Sequence, residues 1–133
     1  MTVLAQPDRN VAEPMALSIY TAIGGRAAIK AAVDGLYGRL LADPELGQFF
    51  PAGVSDVHRR YVVTFLGEAL GGPERYRGPD LGQAHRGLGI SDSHFDRTAA
   101  HLAAALDELG VPRDLTDRIV GIVAGLRHAV VSA

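Results

Sequence analysis

The sequence predicts an all-α domain. From Ser18 onward apolar residues recur at helical spacing, strict apolar–polar alternation is almost absent, and glycine, proline and capping residues punctuate the chain at helix-length intervals. At 133 residues the chain is long enough for one domain with a real core. The expected division is a mobile N-terminal tail over residues 1–17 and a folded domain over 18–133.

Ser18 is a good cap for a short first helix, and Gly24-Gly25 ends it. A second helix is expected from about Arg26 to Leu41, with Ile29, Val33, Leu36, Tyr37 and Leu40 on one face. Asp43-Pro44 stops it and opens a brief helical turn leading to Phe49-Phe50. A third helix from about Asp56 to Leu70 carries His58, Val62, Phe65, Leu66 and Ala69 on one stripe, His58 being its polar member. Gly71-Gly72-Pro73 breaks that helix, and the stretch from 71 to 90 reads as irregular. Ser91 then caps a helix running to Gly110, with Ile90 placed to pack on Phe95. Pro112 opens a last helix with Leu115, Ile119, Ile122, Val123, Leu126 and Val130 as its stripe.

Composition narrows the chemistry. The net charge of −2 offers no basic face for nucleic acid. No apolar run is long enough to cross a membrane, and the first sixteen residues lack the uninterrupted apolar region of a secretory signal, so a soluble cytoplasmic protein is expected. The absence of cysteine excludes disulfides, thiolate metal sites, iron–sulfur clusters and haem attachment through Cys-x-x-Cys-His. A redox centre must therefore rest on histidine or tyrosine.

The irregular stretch is the anomaly, because about twenty residues without regular structure are uncommon inside a small domain. It holds Tyr76, Leu81, Leu88 and Ile90, too much apolar surface for simple disorder, and it holds His85 in the run Gly82-Gln83-Ala84-His85-Arg86-Gly87-Leu88-Gly89-Ile90. An imidazole on such a segment is either a polar loop histidine or a ligand to iron. A bond from His85 to a buried prosthetic group is one way to hold the segment down. His94, His101 and His128 read as ordinary structural or surface histidines, and no Glu-x-x-His occurs, which leaves a carboxylate-bridged two-metal bundle without support.

The ordered set Gly24-Gly25, Tyr37, Phe49-Phe50, Gly71-Gly72-Pro73-Glu74, Ala84-His85-Arg86-Gly87-Leu88-Gly89-Ile90, His94-Phe95, His101-Leu102 and Gly110-Val111-Pro112 resembles the truncated haemoglobins of group I. The resemblance covers roughly Ser18 to Val131. It implies a two-over-two helical sandwich around non-covalent haem b, with the helix before the iron-binding histidine shrunk to a loop and a single turn. Residue by residue, it makes His85 the proximal iron ligand, sets Tyr37 opposite it facing bound gas, and packs Phe50 on the porphyrin. His58, Tyr61, Val62 and Phe65 complete the distal wall. Many relatives have glutamine or leucine where this chain has His58 and glutamine where it has Val62, so a Tyr37–His58 pair is expected in place of the usual Tyr–Gln pair.

Tyr37 is the first candidate donor to a bound gas and His58 the second. His58 has two further readings, a rim residue of the cleft or a distal iron ligand giving a six-coordinate resting state. Arg59, Arg60, Arg77 and Arg86 are candidates for the haem propionates. The small side chains of Ala27, Ala31, Ala99, Ala103, Val33, Val120 and Gly121 permit apolar gas tunnels. The expected function is reversible oxygen binding, with nitric oxide dioxygenation supported by an unidentified reductase. The alternatives are peroxidase-like turnover, a six-coordinate electron carrier or gas sensor, and a helical interaction module without cofactor. Expected small ligands are O2, NO and CO, and the expected assembly is a monomer or weak homodimer.

Overall fold

The computed structural model describes residues 18–132, and every regular element in that span is helical. The expected tail over 1–17 lies outside the described residues. Eight helices follow in order: α1 Ile19–Ile23, α2 Gly25–Ala42, α3 Pro44–Gly47, α4 Asp56–Ala69, α5 Leu81–His85, α6 Asp92–Glu108, α7 Arg113–Ala124 and α8 Arg127–Val130.

Local chemistry explains the boundaries. Ser18 Oγ accepts from the Thr21 amide at the start of α1, and Gly24, at φ 115°, closes it in a conformation that a β-carbon would strain. Asp43 ends α2 and caps α3, its Oδ1 accepting from the Glu45 amide at 3.0 Å. Ser55 and Ser91 cap α4 and α6. At the latter, His94 takes the place usually filled by glutamate or glutamine in a capping box. Its amide donates to Ser91 Oγ and its Nδ1 accepts from the Ser91 amide, both at 3.1 Å.

The long helices make two layers, the α2/α4 pair over the α6/α7 pair, with α2 packed against both α4 and α6. The expected face of α2 is buried throughout: Ile29, Val33, Leu36, Tyr37 and Leu40 meet Leu102 and Leu106 of α6 and Ile119 of α7 in one core.

Four expectations need correction. In α4 and its cap the core positions are Val63, Leu66 and Leu70; Ala69 and His58 are exposed, and Val62 and Phe65 are half-buried along a cleft. The stripe read from the sequence is therefore mostly the cleft-facing side of α4, one residue out of phase with the core. Ala27 and Gly121, counted among the small side chains that permit gas tunnels, are exposed. The last helix breaks after Ala124, giving α7 and α8, and Pro112 stands just outside α7 as its cap.

The stretch from 71 to 90 is more ordered than its composition predicts. Asp80 Oδ2 accepts from the Gly82 and Gln83 amides and starts the single-turn helix α5 that ends on His85. Upstream, Glu74 Oε2 takes hydrogen bonds from Tyr20 Oη at 2.8 Å and Arg26 at 3.2 Å, while Glu68 Oε1 accepts from the Tyr76 amide at 2.8 Å. The segment is thus tied to α1 and α2 through the Glu74 side chain and to α4 through the Tyr76 amide, independently of His85. Downstream, the Ser132 amide donates to Ile90 O at 2.9 Å and α5 packs on α8, which closes the sandwich beneath His85.

Candidate functional site

Between the layers lies an apolar cleft with a cavity volume of about 290 Å³. Tyr37 of α2, Phe50 after α3, and Val62 and Phe65 of α4 form one wall; His85 of α5, Leu88 and Phe95 of α6 form the other. Tyr61 and Tyr76 stand at the cleft's edge. His85, Tyr37, Phe50, Tyr61, Val62 and Phe65, all selected from the sequence, thus line a single cavity.

The His85 ring is oriented by one hydrogen bond. Its Nδ1 lies 2.8 Å from Leu81 O, one turn back on the same short helix. A carbonyl only accepts, so Nδ1 is the donor, and in the neutral imidazole the free lone pair then lies on Nε2. That is the state in which imidazole binds a metal, with its ring held by a second-shell hydrogen bond. The supporting carbonyl and the imidazole stand at the two ends of the same five-residue helix.

Across the cleft, Tyr37 is only 7% exposed, and its Oη lies 2.8 Å from His58 Nε2. The Tyr37 ring meets Phe50 edge-on at 5.7 Å and His58 edge-on at 5.3 Å, while the Arg59 guanidinium sits 5.6 Å from its centroid. Burial pushes the Tyr37 phenol up to about 12, with Arg59 pulling weakly the other way, so it stays a neutral donor. His58 is pushed below its ordinary value, first by desolvation and then by His85 and Arg59, and is neutral near pH 7.

A neutral His58 leaves two hydrogen-bond arrangements. With the proton on Nε2 it donates to Tyr37 Oη, and the phenolic O–H is free to turn into the cleft; with the proton on Nδ1 it accepts from Tyr37 instead. His58 itself is exposed and lies outside the cleft lining, its Nε2 engaged by Tyr37.

The residues present fit a haem. The cleft offers the His85 imidazole on one wall, the Tyr37 hydroxyl on the other, and apolar side chains between them. Among the described residues no cluster of three or more His, Asp or Glu side chains competes as a metal site. Of the arginines considered for propionates, Arg59 is engaged by Asp34 Oδ1 at 3.2 Å.

Two polar features escaped the sequence reading. Asp43 is buried and its Oδ2 accepts from Arg97 Nε at 2.6 Å and His101 Nε2 at 2.8 Å, joining the α2–α3 corner to α6. The i, i+4 spacing of Arg97 and His101 was visible, but not the carboxylate they share. Hydrogen bonds from Arg97 and His101 hold the Asp43 carboxyl well below the usual carboxylate range. The second is Arg127, which stacks 4.6 Å from the centroid of Phe95 and pairs with Asp92 and Asp96, fastening α8 to α6 behind the cleft.

Residues 18–132 match the family model for bacterial-like globin. The chain is 42% identical over 115 residues to the group 1 truncated haemoglobin GlbN of Mycolicibacterium paratuberculosis, covering 86% of this chain and 83% of that protein. It is 38% identical over 107 residues to the group 1 truncated haemoglobin of Tetrahymena pyriformis, covering 80% and 85%. Among solved structures, the Fe(III) form of the Tetrahymena pyriformis protein aligns with a TM-score of 0.83 at 34% identity, covering 87% of this chain and 99% of that one. The 2/2 haemoglobin of a Synechococcus species, in the cyanomet state with covalently attached haem, aligns with a TM-score of 0.77 at 35% identity, covering 84% and 94%.

Proposed function

We propose that this chain, which belongs to the bacterial-like globins and among them to the group 1 truncated haemoglobins, holds haem b through His85 and converts nitric oxide to nitrate with oxygen bound in the same cleft. Membership of the family establishes the coarser part: the chain binds haem, and through it diatomic gases. The finer part is the reaction, in which one nitric oxide, one dioxygen and one electron give one nitrate. The electron comes from an external reductase, and we place both proteins in the cytoplasm.

The observation that carries this reading is the opposition of two hydrogen-bonded units across one apolar cleft, His85–Leu81 on one wall and Tyr37–His58 on the other. When bound, haem supplies reversible gas binding and electron exchange with the gas. His85 anchors it through Nε2, and the Leu81 carbonyl fixes the ring. Tyr37, neutral and buried, offers its O–H to a ligand that gains negative charge on binding. His58 sets the direction of that O–H by donating to Tyr37 Oη from Nε2. Phe50, Val62 and Phe65 keep water away from the donor, which strengthens its hydrogen bond.

The Tyr37–His58 bond also favours this reading over a six-coordinate resting state, and over peroxidase-like use of His58 as a base, because each requires His58 to leave Tyr37. No helix among the described residues is long and apolar enough to cross a membrane.

The test is stopped-flow mixing of the oxygenated, haem-loaded protein with nitric oxide. Rapid loss of the oxygenated spectrum with one nitrate formed per haem supports the proposal; an unchanged spectrum, or loss without nitrate, rejects it.

A further inference from the structure

The two walls of the cleft are joined along one side by a strap. Residues 71–80 run from the end of α4, which packs mainly on α2, to Asp80, which caps α5, and α5 packs mainly on α8. Displacing the strap therefore opens that side of the cleft while the long helices stay packed.

The strap is built to move as a piece. Tyr76 Oη donates to the Pro79 carbonyl at 2.7 Å and lies against Gly78, where a β-carbon would come to 2.5 Å from it. Arg75 donates to the carbonyls of Pro73 and Glu74, so these bonds all stay inside the strap. At its start Gly71, at φ 92°, supplies a joint about which the backbone turns freely. The ties to α4 are the Tyr76 amide on Glu68 Oε1, the Gly72 amide on Gly67 O, and the Tyr76 ring on Phe65. Glu68 is exposed, so water competes for its bond.

Glu74 makes the fastening that water does not reach. Its side chain is 10% exposed and sits in a cradle between Gly67 of α4 and Gly72, where a β-carbon on either would come within 2.7 Å of Oε1. Oε2 accepts from Tyr20 Oη and from Arg26, which joins the strap to α1 and α2. Oε1 is buried in the cradle and bonded to nothing among the described residues. A buried acceptor without a donor is costly, and opening the strap relieves that cost by wetting Oε1. One carboxylate thus holds the strap through one oxygen and favours its release through the other.

We propose that Glu74 is the latch of a hinged strap, and that haem enters and leaves the cleft when the latch releases. Glu74 lies outside the cleft lining and acts on haem exchange through the strap, which makes it a positioning residue. The proposal rests on haem occupying the cleft and not on the reaction with nitric oxide, which its test does not read.

Full-length protein is loaded with haem and verified by its Soret band. Haem loss is timed by transfer to excess apomyoglobin, and amide hydrogen exchange in the same loaded samples is followed by mass spectrometry. Glu74→Gln keeps the side chain's shape and removes the charge that draws Tyr20 and Arg26. Exchange over residues 72–80 and the rate of haem loss should both rise about 10-fold, with exchange in α2 and α6 unchanged. Tyr20→Phe keeps the ring and removes one donor, so it should raise both by a smaller factor, and it decides the matter should Glu74→Gln fail to fold. Faster strap exchange with unchanged haem loss, unchanged strap exchange in both variants, or faster exchange spread equally over all helices would overturn the proposal and leave the gas-binding reading intact. A wild type without a Soret band would overturn both.

Discussion

Replacing Tyr37 by phenylalanine isolates one hydroxyl. The ring is 7% exposed and is held edge-on by Phe50 and His58, contacts that phenylalanine retains, so the cleft should keep its shape. The change removes the O–H proposed to face bound gas and the partner of His58 Nε2. His58 stands at the solvent edge, so water can satisfy its freed nitrogen, and the folding cost should stay below about 1 kcal/mol. The ligand has no such substitute inside an apolar cleft. A hydrogen bond to a charged partner contributes about 1.5–3 kcal/mol. That corresponds to roughly 10- to 100-fold in dissociation. Oxygen release, followed by rapid mixing with excess carbon monoxide, should accelerate within that range. Carbon monoxide gains far less charge on binding, so its own release should change much less. An unchanged oxygen off-rate, or equal acceleration for both gases, would refute the reasoning.

Three further predictions follow from contacts outside the cleft. Asp43 has a folded-state pKa held below its unfolded value by Arg97 and His101, so its contribution to stability is present above about pH 4 and is lost as pH falls from there. The urea midpoint of the wild type should therefore drop more between neutral pH and about pH 3 than that of Asp43→Asn, and parallel curves would argue against this role. Gly72→Ala would drive a β-carbon into the Tyr20 ring and to 2.6 Å from Glu74 Oε1, loosening the strap over residues 71–80. It should cost about 1–3 kcal/mol in chemical denaturation, and a wild-type midpoint would show that the strap yields freely. Leu106→Ala, at a position 2% exposed between the layers, should cost about 2–5 kcal/mol, whereas a loss below that range would mean that α6 collapses onto α2.

The sequence was most informative where one physical requirement dominated. The α2 stripe is legible because its buried face must be continuous, and Ser18 and Ser91 are legible because an orphaned helix amide needs an acceptor close by in sequence. His85 stood out through its glycine-rich setting and the motif around it. What escaped depended on partners distant in sequence. Asp43 and His101 are 58 residues apart, and Tyr20 and Glu74 are 54 apart, spacings that no local pattern marks. The α4 stripe misled for a related reason. A helix that borders both a core and a cleft has two apolar faces, and the sequence does not say which one meets protein. The break at Gly125 is visible as a glycine, but helical apolar spacing continues through Leu126 to Val130, so periodicity alone does not locate it.

The account depends on His85 holding iron through Nε2 while Leu81 fixes its ring. The most direct measurement is the optical spectrum of purified, haem-reconstituted protein with and without His85→Ala. The wild type should show an intense Soret band with the signature of a nitrogen-ligated iron. His85→Ala should lose that signature and recover it on addition of free imidazole. A variant whose spectrum matched the wild type, with no response to imidazole, would contradict the assignment of His85 as the anchor.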